Sequence, residues 1–211
     1  CLEFIEKNHG IKMTLEELYD NRSIREDANI FEMLSAGRTE GVFQFESDLF
    51  KSACKNVEPN CIEDLIAITA FNRPGPLSAG LDKTYANRKN GAEAITYPLG
   101  CDDILGNTYG CLLYQEQAML IAQKVAGFNG NQSDTYLRKA LAKKKRKVLD
   151  LCKEWFIHGK PQADEYGDAI EGGVNRGYDE QELLKYWDDL EGYASYVFNK
   201  SHATSYSLLT V

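Results

Sequence analysis

Residues 135–147 read Thr-Tyr-Leu-Arg-Lys-Ala-Leu-Ala-Lys-Lys-Lys-Arg-Lys, and the ten positions from Arg138 onward hold seven of the chain's 24 Lys and Arg residues. Elsewhere the chain is acidic, with 32 Asp and Glu among 211 residues and a formal net charge of −8. The positive charge is therefore local, and a local basic patch on an acidic chain expects an anionic partner. A solvated basic face that binds nothing is the plain alternative.

The same stretch has a helical pattern. Ser133 or Asp134 can cap it, and neither Pro nor Gly interrupts before Gly159, which predicts one continuous helix of about six turns. At about 100° per residue, Leu137, Leu141, Val148, Cys152, Trp155 and Phe156 form one apolar stripe. Arg138 and Lys145 fall on the edge of that stripe. A cation beside a core wall must be paired, which makes these two candidates for holding a phosphate or carboxylate. Lys139, Lys143, Arg146 and Lys147 point away and suit a looser contact with a nucleic-acid backbone.

A chain of this length forms one large or two small domains with a real core. Its 43% hydrophobic and 27% charged residues are ordinary for a soluble globular protein. No apolar run approaches the ~18 residues of a membrane span, and no signal-peptide pattern is visible. Six cysteines without Cys-x-x-Cys spacing, with three histidines to join them, argue against zinc or a disulfide framework and fit a reducing cytoplasm. A start at Cys1 and a stop at Val211 inside an apolar run read as part of a longer protein.

Before the basic stretch the pattern is mostly helical. Short amphipathic helices are expected over Leu2–Lys7, Leu15–Tyr19 and Asp27–Ala36. In residues 41–47, Gly-Val-Phe-Gln-Phe-Glu-Ser, a period of two suggests a strand, with Gln44 and Glu46 opposite Phe43 and Phe45, followed by a helix from Ser47 to Lys55. An apolar helix over Cys61–Phe71 should stop at Asn72-Arg73-Pro74-Gly75-Pro76, displaying Arg73 on a stiff corner. Helices are expected again over Leu77–Arg88 and Gln115–Ala126, with a turn-rich loop at Tyr97–Gly110 and a short buried strand at Cys111–Tyr114. After the basic helix, residues 159–177 read as an exposed loop and Asp179–Leu190 as a helix. The last helix can be capped by Asn199 or Ser201, so that its free N–H groups, Lys200 and His202 face one place, a geometry that also binds phosphate. Simple helix termination and capping would account for Arg73 and Asn199 equally well.

Five segments in this order and spacing go further: residues 41–47, Arg73-Pro74-Gly75-Pro76-Leu77, Tyr114-Gln115-Glu116-Gln117, the basic helix with Leu137-Arg138-Lys139-Ala140 and Lys143-Lys144-Lys145, and Phe198-Asn199-Lys200-Ser201-His202. Together, over residues from about 26 to 211, the chain resembles the bacterial DNA polymerase III alpha subunits, the C-family replicative polymerases. The resemblance implies a cytoplasmic, mainly α, multi-helix fingers domain with one or two short strands or a hairpin, residues 1–40 forming a helical lead-in and 41–211 the fingers. It implies that Arg138, Lys139, Lys145, Arg73, Asn199, Lys200 and His202 face the incoming deoxynucleoside triphosphate, and that Lys143, Lys144, Arg146 and Lys147 lie along primer-template DNA. Other replicase subunits would be met through the parent chain.

Phosphoryl transfer by two metal ions needs a carboxylate cluster, and this chain has no Asp-x-Asp pair in a strand-like context. The resemblance implies that the Mg²⁺ ligands lie upstream of Cys1 and that this stretch alone does not polymerise. Against the family pattern, Lys139 stands for an arginine, Ala142, Ser195 and Val197 for glycines and Asn72 for an aromatic, and residues 159–172 look inserted. A different class of reading is a non-catalytic nucleic-acid-binding or subunit-docking module built on the same fold.

Overall fold

The computed structural model describes residues 2–14, 16–17, 26–143, 145–193 and 197–211. Its helices are α1 (Leu2–His9), α2 (Ala28–Ser35), α3 (Asp48–Val57), α4 (Ile62–Phe71), α5 (Pro74–Ser78), α6 (Leu81–Lys89), α7 (Asp102–Leu105), α8 (Gln115–Ala126), α9 (Gly130–Gln132), α10 (Lys139–Lys143), α11 (Arg146–Ile157), α12 (Glu180–Tyr193) and α13 (Lys200–Thr210). Among the described residues there is no sheet, only three isolated β-bridges. The mainly α expectation holds, and of the anticipated strands the one at Cys111–Tyr114 shrinks to the Tyr114–Phe198 bridge. The helix expected at Leu15–Tyr19 lies largely outside the described residues.

Several helix starts follow directly from their caps. The Asp27 carboxylate accepts from the Asn29 N–H at 2.9 Å, and the Asn199 side chain accepts from the His202 N–H at 2.9 Å. Pro74 opens α5 in its first turn, where a missing N–H costs nothing. The Asn72–Pro76 corner is thus a handover between two helices, and the helix expected from Leu77 is divided at Gly80, whose φ is +72°.

Two apolar cores organise the chain. The first gathers α2 to α6 around α4, in which every residue from Asp64 to Phe71 is buried. Asp64 is tolerated there because it accepts from the Asn60 N–H at 3.0 Å and the Tyr85 hydroxyl at 2.9 Å, with Lys89 Nζ at 3.5 Å. Helix α13 packs on α4 through the small residues Ala203 and Ser207. The second core joins α8, α11 and α12 with Leu137 and Leu141.

Two expectations are corrected. The basic helix is not continuous. Ser133–Arg138 is a π-helical turn leading into α10, and the backbone leaves helical geometry at Lys145 (φ −78°, ψ 83°) before α11 begins. Like charges repel at i, i+4 helical spacing, so a break there separates cations that one helix would stack. The apolar stripe survives the break, with Leu137, Leu141, Cys152, Trp155 and Phe156 buried, but Lys145 is exposed and not on its edge.

Residues 41–47 form turns and not a strand. Gln44 has φ +64°, Phe45 is fully buried and Phe43 is 47% exposed, so the two rings do not share a face. Local bonds replace the ladder: Thr39 Oγ1 donates to the Phe45 carbonyl at 2.6 Å, and the Gly41 N–H to Glu46 at 2.8 Å.

Residues 159–177 are a largely exposed loop, as expected, but one pinned by its own contacts. Lys160 and Ile170 exchange backbone bonds of 2.7 and 2.8 Å, Asp164 and Gly167 exchange another pair, and the buried Lys160 ammonium binds Asp164 and the Gly167 carbonyl. Tyr166 packs on Tyr136 and Trp155. Gly159, at φ +87°, lies so close to the partner strand that an added Cβ would fall 2.3 Å from the Glu171 carbonyl oxygen. Gly159→Ala is therefore expected to lower the unfolding free energy by more than about 2 kcal/mol in urea denaturation, whereas an unpinned loop would leave it unchanged.

Candidate anion-binding site at two helix starts

The chain before α13 runs beside the start of α8 as a parallel bridge. The Phe198 N–H donates to the Leu113 carbonyl at 2.8 Å, and the Gln115 N–H donates to the Phe198 carbonyl at 2.9 Å. Gln117 fixes the α8 end of this bridge. Its buried side-chain oxygen accepts from the Leu113 and Tyr114 N–H groups at 3.0 Å, and its amide donates to Thr108 Oγ1 at 2.8 Å. Two helix N-termini, each a positive dipole end, are thereby held side by side.

Glu116 lies between them. Its carboxylate accepts from the Lys200 N–H at 3.1 and 3.3 Å and from the Asn199 side-chain amide at 3.2 Å. Lys200 Nζ reaches Glu63 at 3.2 Å and lies 5.4 Å from the centre of the Tyr114 ring. Arg138 approaches the same place from the π-helical turn, sharing a small apolar notch with Gln115, Met119 and Val197. Its Nε donates to Asp134 at 2.7 Å. That bond first, and the Glu116 charge further off, hold the guanidinium pKa above its ordinary value, while Arg138 and then Lys139 hold the Asp134 carboxyl below its own.

The remaining sequence-predicted residues divide into two groups. Arg73 and His202 join the site through Phe198: the Arg73 guanidinium lies 4.3 Å from the centre of that ring, and the exposed His202 imidazole packs between Phe198 and Tyr206 at 5.4 and 4.4 Å. Arg73 also donates from Nε to the Ala70 carbonyl at 2.8 Å, and burial lowers its pKa. Lys139 is exposed and pairs with Asp134 at 3.4 Å. Lys143, Lys145 and Lys147 are exposed on the far part of the segment, and Arg146 is tied to Asp150 at 2.9 Å and Glu191 at 2.8 Å. Lys144 and Ser195 lie outside the described residues.

Sequence reasoning missed the acids. Asp134 was legible as the i−4 partner of Arg138 but reads first as a cap. Glu116 stands in a quoted segment, yet its position in a first turn explains itself through its own helix, and nothing local signals a second helix start across the bridge. Among the described residues no group of three or more His, Cys, Asp or Glu is arranged to hold a metal ion.

Residues 1–164 match the family described as the bacterial DNA polymerase III alpha subunit finger domain. Over 209 residues the chain is 38% identical to DNA polymerase III subunit alpha of Aquifex aeolicus, an overlap covering 99% of this chain and 16% of that protein. It is 36% identical over 211 residues to the protein of the same name from Helicobacter pylori strain 26695, covering 100% and 16%, and 40% identical over 191 residues to that of Buchnera aphidicola from Acyrthosiphon pisum, covering 88% and 15%. The chain thus spans roughly a sixth of the length of the curated relatives it matches.

Next to Arg73, Asn72 is 5% exposed, and neither its side-chain oxygen nor its nitrogen has a hydrogen-bond partner. Burying an amide unpaired costs about 1–3 kcal/mol, so Asn72→Leu, of similar volume, is expected to stabilise the chain by about 1–2 kcal/mol in thermal unfolding. A loss of stability would mean that the amide is in use.

Proposed function

Because this chain belongs to the finger-domain family of the bacterial DNA polymerase III alpha subunit, we propose that it grips and positions the incoming deoxynucleoside triphosphate, beside primer-template DNA, during replicative synthesis by its parent protein. The observation that carries this reading is that the start of α13 holds the half-buried Glu116 carboxylate while Arg138 lines a notch with Gln115 and Val197, the chain neighbours of Glu116 and Phe198. Two adjacent helix starts, with a guanidinium and an ammonium nearby that are each held by a separate acid, suit an anion with several oxygens.

In this reading Arg138 and Lys139 act from the π-helical side, Asn199, Lys200 and His202 from the α13 side, and Arg73 from behind Phe198. Lys145 stands further out on the break. The exposed Lys143, Arg146 and Lys147, with Lys144 among them in sequence, follow the DNA backbone as screened contacts. Residues 1–40 serve as a lead-in and 41–211 as the fingers. Nucleotidyl transfer develops charge on the phosphates, and fixed donors around them lower that barrier without reorganising. The Mg²⁺ that such transfer uses falls to carboxylates elsewhere in the parent protein, so this chain contributes orientation and charge. Other replicase subunits would meet it through the parent chain, and none of its described helices is long and apolar enough to cross a membrane.

In the full-length alpha subunit, Arg138→Ala is expected to raise KM for the nucleotide, or lower kcat, by about tenfold or more, the worth of one charge-assisted hydrogen bond. Primer-template affinity, measured by fluorescence anisotropy, should change little. Loss of DNA affinity alone would make Arg138 a backbone contact and favour a nucleic-acid-binding module.

A further inference from the structure

We propose that Glu116 is an internal counter-anion: its carboxylate occupies the place between the two helix starts that a nucleotide phosphate takes, and it must swing out for the nucleotide to bind. The inference rests on the nucleotide reading of the site and adds a residue that works against binding.

The way Glu116 is held supports an exchange. Amide N–H···O bonds are commonest at about 2.9–3.0 Å. The three bonds to Glu116 measure 3.1, 3.2 and 3.3 Å, whereas backbone N–H groups reach Glu46 and Asp64 at 2.8 and 3.0 Å. Among the acids around the site, Glu116 is thus loosely held although it has the donors best suited to a phosphate. It is half-buried on the first turn of α8, so a swing towards water leaves it beside the positive end of its own helix. The outward state is not an orphaned buried charge, and displacement costs little. A phosphate brings more oxygens and more charge to the vacated donors than one carboxylate does.

A second observation points the same way. Tyr114, 1% exposed and lying under Lys200, leaves its hydroxyl without a hydrogen-bond partner. Burial, and then the nearby charges of Glu63, Asp64 and Glu116, keep that hydroxyl protonated. A buried donor is therefore left unused beside carboxylates that do not accept from it. The arrangement is complete as a fold and incomplete as a hydrogen-bond network, as a site holding a stand-in would be.

The test uses the full-length alpha subunit. Glu116→Gln keeps the shape and an oxygen that accepts from the Lys200 N–H but removes the charge. It is expected to lower KM for a deoxynucleoside triphosphate about five- to tenfold and to tighten inhibition by inorganic pyrophosphate in parallel, the range of one hydrogen bond to a charged group. Glu116→Ala, checked for an unchanged melting temperature, should move both in the same direction. An unchanged or raised KM in Glu116→Gln, with Arg138→Ala raising KM, would overturn the counter-anion role and leave Glu116 a clamp between helices. Should Arg138→Ala leave both KM and kcat unchanged as well, the nucleotide site itself would be wrong.

Discussion

Two hydrogen bonds join the chain on either side of Tyr114 to Phe198. Among the described residues they are the only backbone–backbone bonds between the α8 start and the approach to α13, and their positional effect exceeds their energy. Each contributes about 1 kcal/mol by itself. Yet α8 is rooted in the second core, with Ile121, Ala122 and Val125 buried, while α13 is rooted on α4 in the first. The bridge therefore sets the first turns of helices from two cores side by side. Two helix dipoles that would otherwise face water separately meet there, and the Lys200 N–H finds Glu116 across the junction.

The basic segment reaches this junction through its irregularity. A regular α-helix from Asp134 onward would turn its cations evenly around the axis. The π-helical turn at Ser133–Arg138 adds a residue to the turn, and such bulges recur at functional sites. Leu137 and Leu141 stay in the core while Arg138 lies against Gln115 and Val197. The break at Lys145 then separates two kinds of cation. Arg138 and Lys139 are fixed by Asp134, whereas Lys143, Lys145 and Lys147 stand in solvent, where their charge acts at range and is screened by salt.

What could be read from the sequence, and what could not, divides by the range of the interaction. Asp27, Asn199 and Gly127 mark helix ends because a cap acts within a few residues, and the limits of α8 coincide with the expected Gln115–Ala126. The apolar stripe from Leu137 to Phe156 is legible for the same reason. Residues 41–47 misled because alternation describes a strand only where a partner strand exists, and here Thr39 and Glu46 satisfy the backbone instead. Residues 159–177 read as a loop, but not as a pinned one, because their order comes from a buried lysine, a glycine pressed against a carbonyl and a tyrosine inserted beside Trp155, none of which alters local composition. Of the site, the cations were visible as residue types, and their convergence was carried by a resemblance. The opposing acids were invisible, since a carboxylate on an acidic chain carries no mark of what it faces.

The acids also explain how a strongly basic segment can sit on a stable acidic protein. Arg138 and Lys139 share Asp134, Lys200 faces Glu63, and Arg146 is held by Asp150 and Glu191. Pairs this exposed contribute little to stability, about 0–1 kcal/mol each. Their consequence is positional: each cation is kept in place and partly neutralised. On the nucleotide reading proposed above, it stays so until a stronger anion competes for it. A site built this way favours ligands with several charges close together, because one carboxylate can be displaced by one phosphate but a linked set is displaced only by a ligand whose phosphates are themselves linked. The same geometry that fixes the cations thus disfavours isolated small anions.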